Sequence, residues 1–330
     1  MDYKQIIKEI SSGNQKPVYF LQGDEPYFID LIERFTTERI LEDSVKGFDQ
    51  TILYGRDADL TSVVNAAKRF PMMGKLQIIS VREAQCYKDF DVLIEYLKKP
   101  QFQTLLIFSF KGKKLDKRIL KKFGQNAVIF ESKKLYDNQV PDWIVNYVAS
   151  KQLQISIKSA VLLSEFLGND LAKIVNEINK LSITLPINTI ITPDIIEQNI
   201  GISKEYNTFE LSNALIHKDI LKANRISNHF SENPKNYPLV LTLSMLYGLF
   251  SKIMSLYFIQ SSNPDVIAKE LGIKKYFLKD YQIGKRNYSK RKIFQIISLL
   301  NEYDLKSKGF ENNSIKDEEI LKELIFKILH

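Results

Sequence analysis

One cysteine, one tryptophan and three histidines in 330 residues leave little material for redox or metal chemistry. A lone thiol, Cys86, excludes an internal disulfide and a cysteine-based zinc site, and it fits a reducing cytoplasm. It reads as an incidental thiol, buried or half-buried. His217, His229 and His330 have no metal-ligand spacing with one another, with Cys86 or with an acidic cluster, so they read as surface or helix-end histidines. There is no G-x-S-x-G elbow and no H-E-x-x-H pair. No catalytic residue, metal site or cofactor is therefore expected. Long apolar runs are missing too: no stretch of about 18 uncharged apolar residues could cross a membrane. The nearest candidate, Tyr237 to Ile259, is broken by Lys252 and several hydroxyl residues. The opening Met1-Asp2-Tyr3-Lys4 starts a polar helix and is not expected to be a signal peptide. Internal repeats and low-complexity segments are also lacking.

What is present suits a globular protein of two or three domains, because 330 residues exceed one ordinary core. Hydrophobic residues make up 44% and charged residues 26%. The net charge of +8 permits contact with a polyanion without requiring it. The excess is gathered in two runs. Lys111 to Lys122 carries seven Lys/Arg against one Asp, and Lys269 to Lys292 nine against two acidic residues. Each run is either a solvated face or a set of phosphate contacts.

Up to about residue 136, short apolar runs alternate with helical patterns. The runs Val18–Leu21, Thr51–Tyr54, Leu76–Val81, Thr104–Phe110 and Ala127–Phe130 are rich in Ile, Val and Phe, as buried parallel strands are. Between them lie Tyr27–Ile40, Leu60–Arg69, Phe90–Leu97 and Leu115–Phe123; in the second, Leu60, Val63, Val64 and Ala67 recur at helical spacing. This alternation predicts a doubly wound α/β domain. Beyond Tyr136 the strand-like runs largely stop. Helices are predicted from Val140-Pro141, over Ser156–Leu167 and Asn169–Leu181 around Gly168, and from the N-cap Thr192 with Pro193 and Asp194 behind it. Asn207 caps a further helix. Ile220–Phe230, Tyr237–Phe258, Asp265–Leu271, Lys290–Lys306 and Ile315–Leu329 complete an all-α remainder. The last has a capping-box start, Ser314-x-x-Asp317, and a stripe of Ile320, Leu321, Leu324, Ile325 and Ile328.

Three local patterns bear on function. In Leu21-Gln22-Gly23-Asp24-Glu25-Pro26-Tyr27 a strand passes through a glycine turn into a helix, the order of a phosphate-binding loop. A working loop needs backbone N–H groups aimed at phosphate, a Lys and a Ser/Thr. Here two carboxylates, Asp24 and Glu25, occupy the turn, and no Lys, Ser or Thr follows before Thr36. The carboxylates suit the helix dipole and repel an anion, so the scaffold of a nucleotide site remains without its chemistry. Second, Phe70-Pro71-Met72-Met73-Gly74 places large apolar residues in a short loop between a helix and a strand. Such a loop is either a buried connection or an exposed plug for a partner's apolar pocket. Third, Val266 to Phe277, with Gly272 between two helical pieces, reads as a helix-turn-helix entry or as a simple αα corner.

Taken in order, Pro17 to Glu25, Phe70 to Gly74 with its strand, Asp116-Lys117-Arg118, Gly168-Asn169-Asp170-Leu171 with Glu177 to Leu181, and Tyr303-Asp304-Leu305-Lys306 resemble the delta subunits of bacterial DNA polymerase III. These are the clamp-loader subunits that open the sliding clamp. The resemblance runs over nearly the whole chain; each motif is short, and their order and spacing carry it. It implies α/β plus all-α architecture in three parts: an AAA+-like doubly wound parallel sheet domain without a working P-loop (1–136, clamp-binding), a small helical lid domain (137–204) and a C-terminal helical collar domain (205–330) for oligomerisation. It implies no intrinsic catalysis in a subunit of a DNA polymerase holoenzyme. It also implies that Phe70, Pro71, Met72 and Met73 meet the clamp (beta), with Met72 and Met73 as the two adjacent anchors where relatives often carry Leu and Phe. Gly23, Asp24 and Glu25 become a degenerate nucleotide site. The partners implied are the clamp, the loader's ATPase subunits and delta-prime through the collar, and primer–template DNA in the assembled complex; Lys113, Lys114, Lys117 and Arg118 are candidate phosphate contacts. The competing reading is a DNA-binding regulator that uses a helix-turn-helix at residues 264–279, and a weaker one is a degenerate ATPase with an unusual nucleotide site.

Overall fold

A computed structural model describes residues 2–203, 205–310 and 317–330. The chain divides into two compact units, Met1–Leu135 and Tyr136–His330.

In the first unit the order is α1 (Tyr3–Ser11), β1 (Val18–Gly23), α2 (Pro26–Arg39), α3 (Asp43–Asp49), β2 (Gln50–Tyr54), α4 (Leu60–Ala67), β3 (Gln77–Arg82), α5 (Asp91–Lys98), β4 (Thr104–Lys111), α6 (Lys117–Lys122) and β5 (Ala127–Ser132). All five strands are parallel, in the order β2-β3-β4-β1-β5. This is the doubly wound parallel sheet that the alternation predicts, with right-handed helical crossovers expected between its strands. The apolar content follows position in the sheet. β1 is buried throughout and β4 all but its last residue, whereas the edge strands β2 and β5 alternate with exposed positions. A central strand has both faces covered, so it reads as one continuous apolar run. On one face Phe20 stacks on Phe108 and Phe123 at 5.1 and 4.2 Å between ring centroids. Val63, Val64 and Ala67 of α4 join the same core.

One element here, α3, was not legible as a periodic pattern, whereas α1 forms where the polar opening of the sequence predicts a helix. α3 buries only Asp49, so it shows no apolar stripe. α1 is held by a reciprocal cap between Asp2 and Gln5 and buries Ile6 and Ile10 one turn apart.

The second unit contains α7 (Val140–Ser150), β6 (Gln154–Ile155), α8 (Ile157–Leu167), α9 (Leu171–Thr184), β7 (Ile190–Ile191), α10 (Pro193–Ile200), α11 (Thr208–His217), α12 (Ile220–Glu232), α13 (Leu239–Ser255), α14 (Pro264–Leu271), α15 (Leu278–Asn287), α16 (Lys290–Ser307) and α17 (Asp317–Leu329). Side-chain caps start most of them: Ser156, Asp170, Thr192, Asn207, Asp219, Asn263 and Ser289 each accept from a backbone N–H of the first turn. β6 and β7 pair in parallel over two residues each, a small sheet too short to mark the sequence. Buried apolar side chains from Leu211 to Ile253 and from Tyr288 to Leu329 share one core, in which Phe250, Tyr288, Ile293 and Leu324 are fully buried. Ile320, Leu321, Leu324, Ile325 and Ile328 face it as the stripe predicts. The capping box Ser314-x-x-Asp317 lies outside the described residues.

Candidate functional site

The turn after β1 directs its backbone donors to protein atoms. Gly23 has φ +134°, and a Cβ there would stand 2.0 Å from the Ser132 carbonyl oxygen, so only glycine fits. That oxygen accepts from the backbone N–H groups of Asp24 (2.9 Å) and Glu25 (3.4 Å). The Ser132 hydroxyl in turn donates to the Glu25 carbonyl at 2.6 Å. The buried Glu25 side chain caps α2, accepting from Tyr27 N–H at 3.1 Å. Pro26 has no N–H to offer. The backbone donors of Asp24 and Glu25 are thus both satisfied by a protein carbonyl. Asp24 pairs with Lys114 at 3.4 Å, and Lys114 also reaches Glu131 at 2.8 Å. The hydrogen bond with Glu131 raises the Lys114 ammonium and holds the Glu131 carboxyl below its usual range.

The loop from Phe70 to Gly74 stands open. Phe70, Met72 and Met73 are 68%, 76% and 64% exposed, and Pro71 is partly buried. The buried stripe of α4 ends at Ala67, and the chain leaves the core before these side chains begin. The loop's ends are tied to β4 and the residue before it: the Thr104 hydroxyl donates to the Arg69 carbonyl at 3.5 Å, and Gln77 N–H donates to the Gln103 carbonyl at 2.8 Å. Its middle is tied to Asp49. That carboxylate accepts from the backbone N–H groups of Met72, Met73 (2.9 Å) and Gly74. Burial alone would raise the Asp49 carboxyl; the N–H groups of Met72, Gly74 and Met73 outweigh it and hold it below the usual carboxylate range. Sequence reasoning missed Asp49, since a lone carboxylate between a short helix and a strand carries no pattern. Phe48 and Phe102, 55% and 66% exposed, precede β2 and β4 by two residues. In a parallel sheet the strand starts share one edge, so Phe48, the loop and Phe102 lie along that edge.

The predicted phosphate contacts are of two kinds. Lys113, Lys117 and Arg118 are exposed at the start of α6, where Asp116 accepts from Arg118 N–H at 2.7 Å. Lys114, also exposed, is engaged by Asp24 and Glu131 as described. Residues 264–279 form a packed corner: Ile267, Leu271 and Leu278 make a buried cluster around the turn at Gly272. Lys274 pairs with Asp142, and Lys275 with Asp265 at 2.9 Å. Two of the basic side chains behind the helix-turn-helix reading, Lys274 and Lys275, thus have carboxylate partners.

Among the described residues no three His, Cys, Asp or Glu gather as metal ligands, and no helix is long and apolar enough to cross a membrane. His217 bonds the Asn213 carbonyl at 2.9 Å, and His229 stacks on Tyr206. Cys86 is exposed rather than buried or half-buried, because it ends a single turn, Ala84–Cys86, of which only Ala84 faces the core.

Comparison with known proteins bears on the whole chain. A family model described as DNA polymerase III, delta subunit, matches residues 19–133. The DNA polymerase III subunit delta of Bacillus subtilis (strain 168) is 23% identical over 333 aligned positions, covering 97% of this chain and 94% of that protein. A solved structure, the Bacillus subtilis DNA clamp loader delta protein (YqeN), superposes with a TM-score of 0.55 at 20% identity, covering 99% of both chains. That superposition extends the likeness in fold through both units.

Proposed function

We propose, from its similarity to the DNA polymerase III delta subunit over nearly its whole length, that this chain binds and opens the sliding clamp for loading on primed DNA, without catalysis of its own. The observation that carries this is the loop at the sheet edge: Met72 and Met73 are held out in solvent while the backbone beneath them is fixed. Two adjacent, adaptable apolar side chains on a fixed backbone suit an apolar pocket on a partner. The turn at Gly23, Asp24 and Glu25 supports the non-catalytic part of the reading, because its N–H groups are already engaged. We assign residues 1–136 to the clamp-binding domain, 137–204 to a lid and 205–330 to a collar that joins the loader's ATPase subunits and delta-prime. In the assembled complex Lys113, Lys117 and Arg118 face primer–template phosphates. ATP hydrolysis by the partner subunits changes how well the loop is presented; only a difference in clamp affinity between those states can open and release the clamp.

The test is equilibrium binding of purified clamp to the intact chain and to a variant with Met72→Ala and Met73→Ala. Loss of binding with an unchanged melting curve supports the reading; full binding by a folded variant refutes it.

A further inference from the structure

Asp49 presents an unusual combination. It is 1% exposed, and its carboxylate receives three consecutive backbone N–H groups, those of Met72, Met73 and Gly74, from 23 to 25 residues away. Burying a carboxylate is strongly unfavourable unless it is well hydrogen-bonded. Consecutive N–H groups converging on one anion form a concave nest, and such charge-assisted bonds are stronger than neutral ones. Gly74 fits this contact closely, since a Cβ there would lie 3.1 Å from Asp49 Oδ2. The backbone of the loop faces inward to Asp49, while Met72 and Met73 project outward.

We infer that Asp49 is a positioning residue for clamp binding: it holds the loop in the conformation in which Met72 and Met73 can enter the clamp together. The inference rests on the function proposed above. Apolar contacts at the loop tip could not set its backbone, because its large side chains lie in solvent. Three backbone bonds to one buried anion can do so for whatever side chains stand at 72 and 73. A loop fixed beforehand loses less conformational freedom on binding. If the competent conformation falls to about a tenth of the population, apparent affinity falls about tenfold. Asp49→Asn keeps the size of the side chain and removes the charge, and it places an amide donor where one of the N–H acceptors was.

The experiment measures amide hydrogen exchange and clamp binding on the full chain, on Asp49→Asn and on the Met72→Ala, Met73→Ala double variant. In the unaltered chain the amides of Met72, Met73 and Gly74 should exchange slowly although their segment is a surface loop. Fast exchange there overturns the inference with no variant needed, even if Asp49→Asn does not fold. In Asp49→Asn these three amides should lose protection while those of β1 and β4 keep it, and clamp affinity should fall about tenfold. The methionine double variant should keep the protection and lose the clamp, a split that general destabilisation would not produce. If the methionine variant loses the clamp but Asp49→Asn binds at full strength, the positioning role alone is wrong. If the methionine variant binds at full strength, the clamp reading of the loop fails and this inference with it.

Discussion

Gly23 and Ser132 approach so closely that a single added carbon on residue 23 would stand 2.0 Å from the Ser132 carbonyl oxygen. The contact joins the end of β1 to the end of β5, and the same oxygen accepts from Asp24 and Glu25. A backbone carbonyl thus already satisfies both N–H groups of the turn. Calorimetry with Mg·ATP should show no saturable binding to the isolated chain up to about millimolar nucleotide, where an affinity of only about −4 kcal/mol would register. Saturable heat in that range would refute the non-catalytic reading.

Gly23→Ala should be severely destabilising, on the order of 3 kcal/mol or more, because it combines a positive φ with a clash against backbone that cannot rotate away. Gly13→Ala is the control. Its φ is also positive, +76°, but nothing lies within 4 Å of the added Cβ. It should cost only about 1 kcal/mol. Equal melting shifts for the two would show that the close approach to Ser132 is not the cause.

Replacing both Met72 and Met73 with Ala should weaken clamp binding about a thousandfold, taking each desolvated anchor as about 2 kcal/mol. Met72→Asp should be worse still, since it forces a charge into an apolar pocket. Because both residues are exposed, melting temperatures should move by no more than a degree or two. A drop of many degrees would mean that the loop is a structural connection.

Glu210 makes part of the second unit's stability depend on pH. It is nearly buried, and Lys158 (2.7 Å) and Lys222 both donate to its carboxylate. Burial raises its carboxyl, but the two lysine hydrogen bonds outweigh this and lower it from 4.5. A carboxyl lowered by folding stabilises the protein above its unfolded value and loses that contribution as pH falls through the lower folded value. Glu210→Gln should therefore cost on the order of 1–2 kcal/mol at pH 7, the lysines being partly screened by solvent. The gap to wild type should close below about pH 4. Urea titrations at pH 7 and pH 3.5 measure it; a gap independent of pH would exclude the ion pairs as its source.

Lys113→Ala, Lys117→Ala and Arg118→Ala together should leave binding of free clamp unchanged and weaken association of the assembled loader with primed DNA. The salt dependence of that association should become shallower, by about 0.9 in the log–log slope for each phosphate that is no longer neutralised. An unaltered slope would return this run to plain solvated surface. Lys114→Ala should behave differently, because its ammonium already serves Asp24 and Glu131.

The sequence was legible where physics is local. Apolar runs such as Leu105 to Phe108 declare buried strands within a few residues. Caps such as Thr192 and Asn207 act on a backbone N–H three positions away. The absence of Lys and Ser/Thr after Gly23 is a matter of composition. α15 was not delimited as a segment of its own, because it buries only Leu278 and Gly284, too little for a stripe. β6 and β7 were missed because two residues show no alternation.

By itself, then, the sequence determined the five strands of the first unit, most of the helices, the glycine turn after β1 and the identity of the apolar loop, since each depends on neighbours in the chain. It left open whether Phe70 to Met73 were core or surface, and it said nothing of Asp49. Tertiary structure decided both. Exposure depends on what other elements cover, and here the sheet edge beyond α4 is left bare. A hydrogen bond across 23 to 25 residues exists only after α3 and the strand order β2-β3 bring a buried carboxylate under a loop whose three N–H groups it can then satisfy.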